Sequence, residues 1–74
     1  MRVMVTGGAG FVGRELVRTL QPKAEVLVAD RLRYGMPDWL VSPPDGVRLS
    51  QVDIRDAAAI RGVIEEFRPD AVVH

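Results

Sequence analysis

What the chain lacks narrows it first. It contains no cysteine and one histidine, which excludes a disulfide framework and a Cys/His zinc site and suits a reducing compartment. No run of like charge occurs: ten Lys and Arg balance ten Asp and Glu, for a formal net charge of +0. Nothing in that distribution calls for nucleic acid or a membrane surface. The apolar stretches are a few residues long, far short of the roughly 20 that cross a bilayer. No signal-peptide-like segment precedes the first glycines. No repeat, low-complexity tract or linker divides the chain. The expectation from these absences is a cytoplasmic protein that uses neither metal nor membrane.

What is present is concentrated near the N-terminus. Arg2-Val3-Met4-Val5-Thr6 is short, mostly apolar and bounded by glycine, as a strand buried on both faces of a parallel sheet would be. Thr6-Gly7-Gly8-Ala9-Gly10-Phe11-Val12-Gly13 follows, so that Gly8-x-Gly10-x-x-Gly13 overlaps a wider Gly7-x-x-Gly10-x-x-Gly13 spacing. Glycines between a strand and a helix permit a tight turn, let backbone N–H groups approach a pyrophosphate, and bring the helix close to the sheet. Free N–H groups and the macrodipole at the helix start then favour an anion. Gly13, Leu16, Val17 and Leu20 recur at i, i+3, i+4 and i+7, which predicts a helix with Gly13 on its buried face and a stop at Pro22.

Glu25 to Ala29 repeats the strand signature and ends at Asp30. Residues 31 to 46, rich in glycine and proline, form a connection that is long for a compact domain. Within it a short helical turn is expected around Asp38 to Val41. Trp39-Leu40-Val41 is read as an apolar cluster that pins the loop by burying its aromatic side chain, with a lid over the adenosine or a subunit contact as the other readings. Val47 to Val52 alternates as a third strand before Asp53. Asp56 to Phe67 repeats the helical period with Ile60, Val63, Ile64 and Phe67 on one face and Asp56 as N-cap. Arg68-Pro69-Asp70 ends that helix, and Ala71 to Val73 begins a fourth strand. The order is that of the first half of a doubly wound, parallel-sheet α/β domain, a Rossmann fold. Because the chain stops inside an apolar run, these residues are expected to be the N-terminal part of a larger dinucleotide-binding domain, weakly folded when alone.

Asp30 ends its strand near the ~20-residue offset at which an acid receives the adenosine ribose hydroxyls. A carboxylate there repels a 2′-phosphate and favours NAD over NADP. Arg31 and Arg33 pull the other way, since a guanidinium beside the acid pairs with phosphate. The structural alternative for Asp30 is an Asx-turn at the start of the loop. Asp53 and Ile54 suit the adenine, the carboxylate accepting from its amino group and the aliphatic chain covering its ring. Asp53 and Asp56 equally suit the start of the following helix, by capping it and complementing its dipole.

Taken together, the glycine run, Asp30, Asp53-Ile54-Arg55-Asp56 and Pro69-Asp70-Ala71-Val72-Val73-His74 resemble the extended short-chain dehydrogenase/reductases, most closely their NAD-dependent nucleotide-sugar epimerase and dehydratase branch. The resemblance spans essentially the whole chain. It implies that Gly7, Gly10, Phe11, Val12 and Gly13 line the pyrophosphate largely through backbone, that Asp30 and Arg31 hold the ribose, and that Asp53 and Ile54 flank adenine. It implies a nucleotide-sugar substrate and a homodimer. It also implies a catalytic Ser/Thr and a Tyr-x-x-x-Lys pair, which this chain does not contain: Tyr34 is its one tyrosine, four places before Asp38, and Lys23 its one lysine. No catalytic residue is therefore assigned, and the chain alone should be inactive. A reductase of the same superfamily, a non-catalytic NAD(P)-sensing module and an inactive structural fragment share these motifs and remain open at the level of sequence.

Overall fold

A computed structural model describes all residues, Met1 to His74. Four strands form one wholly parallel sheet: β1 (Arg2–Thr6), β2 (Glu25–Asp30), β3 (Val47–Gln51) and β4 (Ala71–Val73), in the spatial order β3-β2-β1-β4. Three helices connect them: α1 (Phe11–Leu20), α2 (Asp38–Val41) and α3 (Ala57–Phe67). The fold is the N-terminal Rossmann half expected from the sequence.

Strand alternation builds two cores. On one face Val3, Val5, Val26, Val28 and Val47 pack with Val17 of α1 and Leu40 of α2; on the other, Met4, Leu27 and Ala29 pack with Val52 and Phe67, the last from α3. Successive residues of β1 and β2 thus serve opposite layers, which is why both strands read as unbroken apolar runs. The helical periods are largely realised. Leu16 and Leu20 pack beside Val17, and Ile60 and Val63 beside Phe67. Ile64 departs from its expected face and is 39% exposed.

Local signals act where the sequence places them. Asp56 caps α3, its Oδ1 accepting from the Ala59 N–H at 3.1 Å, and Arg68 closes the helix in the left-handed conformation at φ 53°. Val52 leaves the β3 ladder, yet its N–H donates to the Asp30 carbonyl at 3.0 Å and its side chain stays buried. The Asp38–Val41 turn forms as expected, but Leu40 is the residue that anchors it at 3% exposure, whereas Trp39 is only partly buried. Trp39 packs against the same core from its margin, and the smaller aliphatic chain takes the interior place.

β1 lies between β2 and β4, so the connections from the first half of the sheet leave it in opposite directions. A crevice at the carboxyl ends of the strands is the geometric result of such a switch. The glycine loop lies at the carboxyl end of β1.

Candidate functional site

Four glycines build the loop after β1 and the first turn of α1, and they divide the work. Gly7 adopts φ 66°, the left-handed region that glycine enters without strain, and its N–H donates to the Ala29 carbonyl at 2.8 Å. Gly8 lies flat on the sheet: a Cβ there would stand 2.9 Å from Val28 Cγ1 and 3.2 Å from Val5 Cγ1. Gly13 presses the first turn of α1 onto that floor, since its Cβ would meet the Gly8 carbonyl carbon at 2.6 Å. Gly10 is different. Its nearest neighbour to a built Cβ is the Gly7 oxygen at 3.8 Å, so no packing contact demands glycine there, and Gly10 lines the cleft.

Gly10 is also the N-cap of α1 and offers no side-chain oxygen to the helix start. The first N–H to find a protein acceptor is that of Arg14, which donates to the Gly10 carbonyl at 2.9 Å. The N–H groups of Phe11, Val12 and Gly13 have no protein acceptor, and they lie at the positive end of the helix. The Phe11 and Val12 side chains are 81% and 80% exposed and do not line the cleft. These two residues therefore have only main chain to offer at this end of the helix.

The cleft itself measures about 690 Å³. Of the residues singled out from sequence, it brings together Gly7, Gly10, Asp30, Arg31, Asp53 and Ile54; Phe11, Val12 and Gly13 stay on the first turn of α1, outside the lining. Its other wall is the loop after β2, from Leu32 to Pro37.

Asp30 joins the two sides of this cleft. Its Oδ2 accepts from the Ala9 N–H of the glycine loop at 3.1 Å, and its Oδ1 from the Leu32 N–H at 2.7 Å. The second bond is the Asx-turn of the structural alternative, and it sets Leu32 at φ 59°. The Asx-turn does not exhaust the side chain, because a carboxylate has about four acceptor directions and two remain.

Asp53 sits across the cleft in the turn after β3, in a clasp the sequence did not disclose. Its Oδ1 accepts from the Arg55 N–H at 2.9 Å and its Oδ2 from Arg55 Nη2 at 2.8 Å, with Arg55 Nε at 3.1 and 3.2 Å from the two oxygens. Arg31 approaches the same Oδ2 at 3.6 Å. Hydrogen bonds from the Arg55 side chain and N–H, with the charges of Arg55 and Arg31, hold the Asp53 carboxyl well below the usual carboxylate range and raise Arg55. Asp53 stays ionised at neutral pH. Its backbone carbonyl also receives the Asp56 N–H at 2.9 Å, so the residue serves the helix start through main chain while its side chain faces the cleft.

Sequence reasoning missed Gly8 as a contact residue and Arg55 as the partner of Asp53. Gly8 had a signal, the overlapping glycine spacing. Arg55 had a weak one, an opposite charge two places on, which a helix would turn away and a strand would hold about 7 Å distant. Outside the cleft, the Thr6 hydroxyl lies 2.8 Å from His74 Nδ1.

Comparison with known proteins agrees with this geometry. Residues 3–74 match the model of the NAD dependent epimerase/dehydratase family. The chain is 45% identical to a probable dTDP-glucose 4,6-dehydratase of Sinorhizobium fredii, covering 100% of this chain and 22% of that protein. Against the dTDP-glucose 4,6-dehydratase of Mycobacterium tuberculosis the identity is 42%, with 100% and 23% covered. Among solved structures, the Bordetella bronchiseptica enzyme WbmG in complex with NAD superposes with a TM-score of 0.89 at 33% identity, over 100% of this chain and 24% of that one. The Thermus thermophilus UDP-glucose 4-epimerase complex with NAD gives 0.81 at 42%, over 97% and 22%. The chain thus spans less than a quarter of the length of each of these four proteins.

Proposed function

Because this chain belongs to the NAD dependent epimerase/dehydratase family, we propose that its cleft holds the ADP half of NAD and that it serves an NAD-dependent nucleotide-sugar epimerase or dehydratase. The observation that carries the reading is Asp30, whose one carboxylate is bonded both to the glycine loop and to the opposite wall of the cleft. A pyrophosphate beside the free N–H groups of α1 and a ribose at Asp30 would then be held by parts of a single hydrogen-bonded unit.

The residues fit the group. Gly10 leaves open the space that a Cβ would narrow, and Gly7, Phe11, Val12 and Gly13 offer main chain to the pyrophosphate. Asp30 and the main chain of Arg31 take the ribose, while Asp53 and Ile54 flank the adenine, Ile54 being 44% exposed and so free to cover a ring. When bound, NAD supplies the hydride acceptor and donor for transient oxidation of a sugar-ring alcohol. This chain's residues bind and orient; the proton-transfer groups of the reaction lie outside these residues. The reading makes the whole protein an oxidoreductase in its half-reactions and an isomerase or dehydratase in its outcome. It acts in the cytoplasm on a UDP- or dTDP-sugar, as a homodimer.

Fluorescence titration of the full-length protein tests the assignment. NADH should bind more tightly than NADPH, and equal affinities would overturn the role given to Asp30.

A further inference from the structure

An arginine close to the ribose-binding acid is the usual means of accepting the 2′-phosphate that distinguishes NADP from NAD. Two arginines follow Asp30, and each already has a partner. The Arg33 guanidinium stands 5.5 Å from the centre of the Tyr34 ring. Arg31 reaches over the cleft to Asp53, with Nη1 3.6 Å from Oδ2, and both side chains are partly open to solvent at 38% and 33%. Asp53 is not free to follow Arg31 elsewhere, because Arg55 grips it from the main chain at 2.9 Å and from the guanidinium at 2.8 Å. Asp53 is thus the anchored member of the pair.

We propose that Asp53 selects the cofactor: by drawing Arg31 to the β3 side of the cleft it withholds that guanidinium from a 2′-phosphate, so that rejection of NADP rests on Asp30 and Asp53 together. The inference depends on the adenosine assignment made above. Any contact of Asp53 or Ile54 with adenine is common to NAD and NADP, so it cancels in the ratio of their affinities. Selection alone moves that ratio.

The test is the NADPH to NADH dissociation-constant ratio of the full-length protein by fluorescence titration, for the unmodified protein, Asp53→Asn, Arg31→Ala and the double variant. Asparagine keeps the shape of the side chain and one acceptor for the Arg55 N–H. Asp53→Asn should lower the ratio about threefold, the scale of a partly exposed ion pair. In the Arg31→Ala background the same change should leave the ratio where it was, since the effect travels through Arg31. A ratio unmoved by Asp53→Asn, or a shift that survives without Arg31, overturns the proposal. Should Asp53→Asn disturb the turn after β3, Arg55→Gln supplies a second test. It leaves the carboxylate fixed by the Arg55 N–H and removes only the guanidinium that competes with Arg31 for Oδ2, so the ratio must rise when Arg31 is present; an unchanged or lower ratio overturns the proposal. If the unmodified protein binds neither dinucleotide, the cofactor assignment itself fails, an outcome distinct from NADH binding with an unmoved ratio.

Discussion

Two glycines three residues apart carry different constraints, and substituting them should separate folding from binding. Gly13→Ala gains helix propensity worth up to about 1 kcal/mol. It also drives a methyl group into the Gly8 backbone, 2.6 Å from its carbonyl carbon, where no flexible side chain can give way. Overpacking of that kind costs about 1–3 kcal/mol, so the melting temperature should fall and dinucleotide affinity with it, as the loop floor shifts. Gly10→Ala meets nothing closer than 3.8 Å. Its melting temperature should change by the equivalent of less than about 1 kcal/mol, the difference between glycine and alanine at an N-cap. Its NADH affinity should nevertheless fall, because under the proposed reading the pyrophosphate approaches the loop where Gly10 lines the cleft. A Gly10→Ala protein that binds normally would show that the pyrophosphate lies elsewhere. Asp30→Ala removes a repulsive charge and two main-chain anchors at once. NADH affinity should fall, NADPH affinity should fall less, and titration of both should show the gap narrowing.

At the level of elements, the strands and longer helices were legible because each carries its own period and its own stop. Val3 and Val5 face one layer and Met4 the other, and the apolar run of β1 says as much before any coordinates. Asp56 needed only its position before a periodic segment. Asp56→Ala should lower stability by about 1 kcal/mol while leaving NADH affinity unchanged, since the residue does not line the cleft; differential scanning calorimetry and titration on one sample check both halves. The long connection was less legible. A single turn has no period, so nothing in Trp39-Leu40-Val41 tells which residue points inward, and size favoured the wrong one. Leu40→Ala should cost about 2 kcal/mol, the low end for a buried leucine, and should speed hydrogen exchange across residues 31 to 46 ahead of the sheet. The Asp53–Arg55 clasp was illegible for a related reason. It exists only in the turn that Asp53 itself helps to form, and turn geometry follows from the ladder before it and the cap after it.

For the molecule as a whole, the decisive feature is that a site is assembled at the carboxyl end of a sheet that buries little. Only 13 of 74 residues are buried, and Val72 and Val73 on β4 are 50% and 37% exposed. Hydrophobic cores in a chain of this size rarely supply more than about 3–5 kcal/mol, so the 74-residue segment expressed alone should unfold at low denaturant, with a stability under about 3 kcal/mol. Ligand then becomes a large part of the balance, because free ligand at a hundred times its dissociation constant adds about 2.7 kcal/mol. The site groups in these residues all serve the ADP half under the reading given above. ADP-ribose should therefore raise the denaturation midpoint of the segment as far as NADH does when each is supplied at the same multiple of its own dissociation constant, and the two constants themselves should agree within about threefold. Nicotinamide mononucleotide should have no effect. NADH binding much more tightly than ADP-ribose would mean that the segment also grips the nicotinamide half, and the division of the cofactor proposed for this cleft would have to be redrawn.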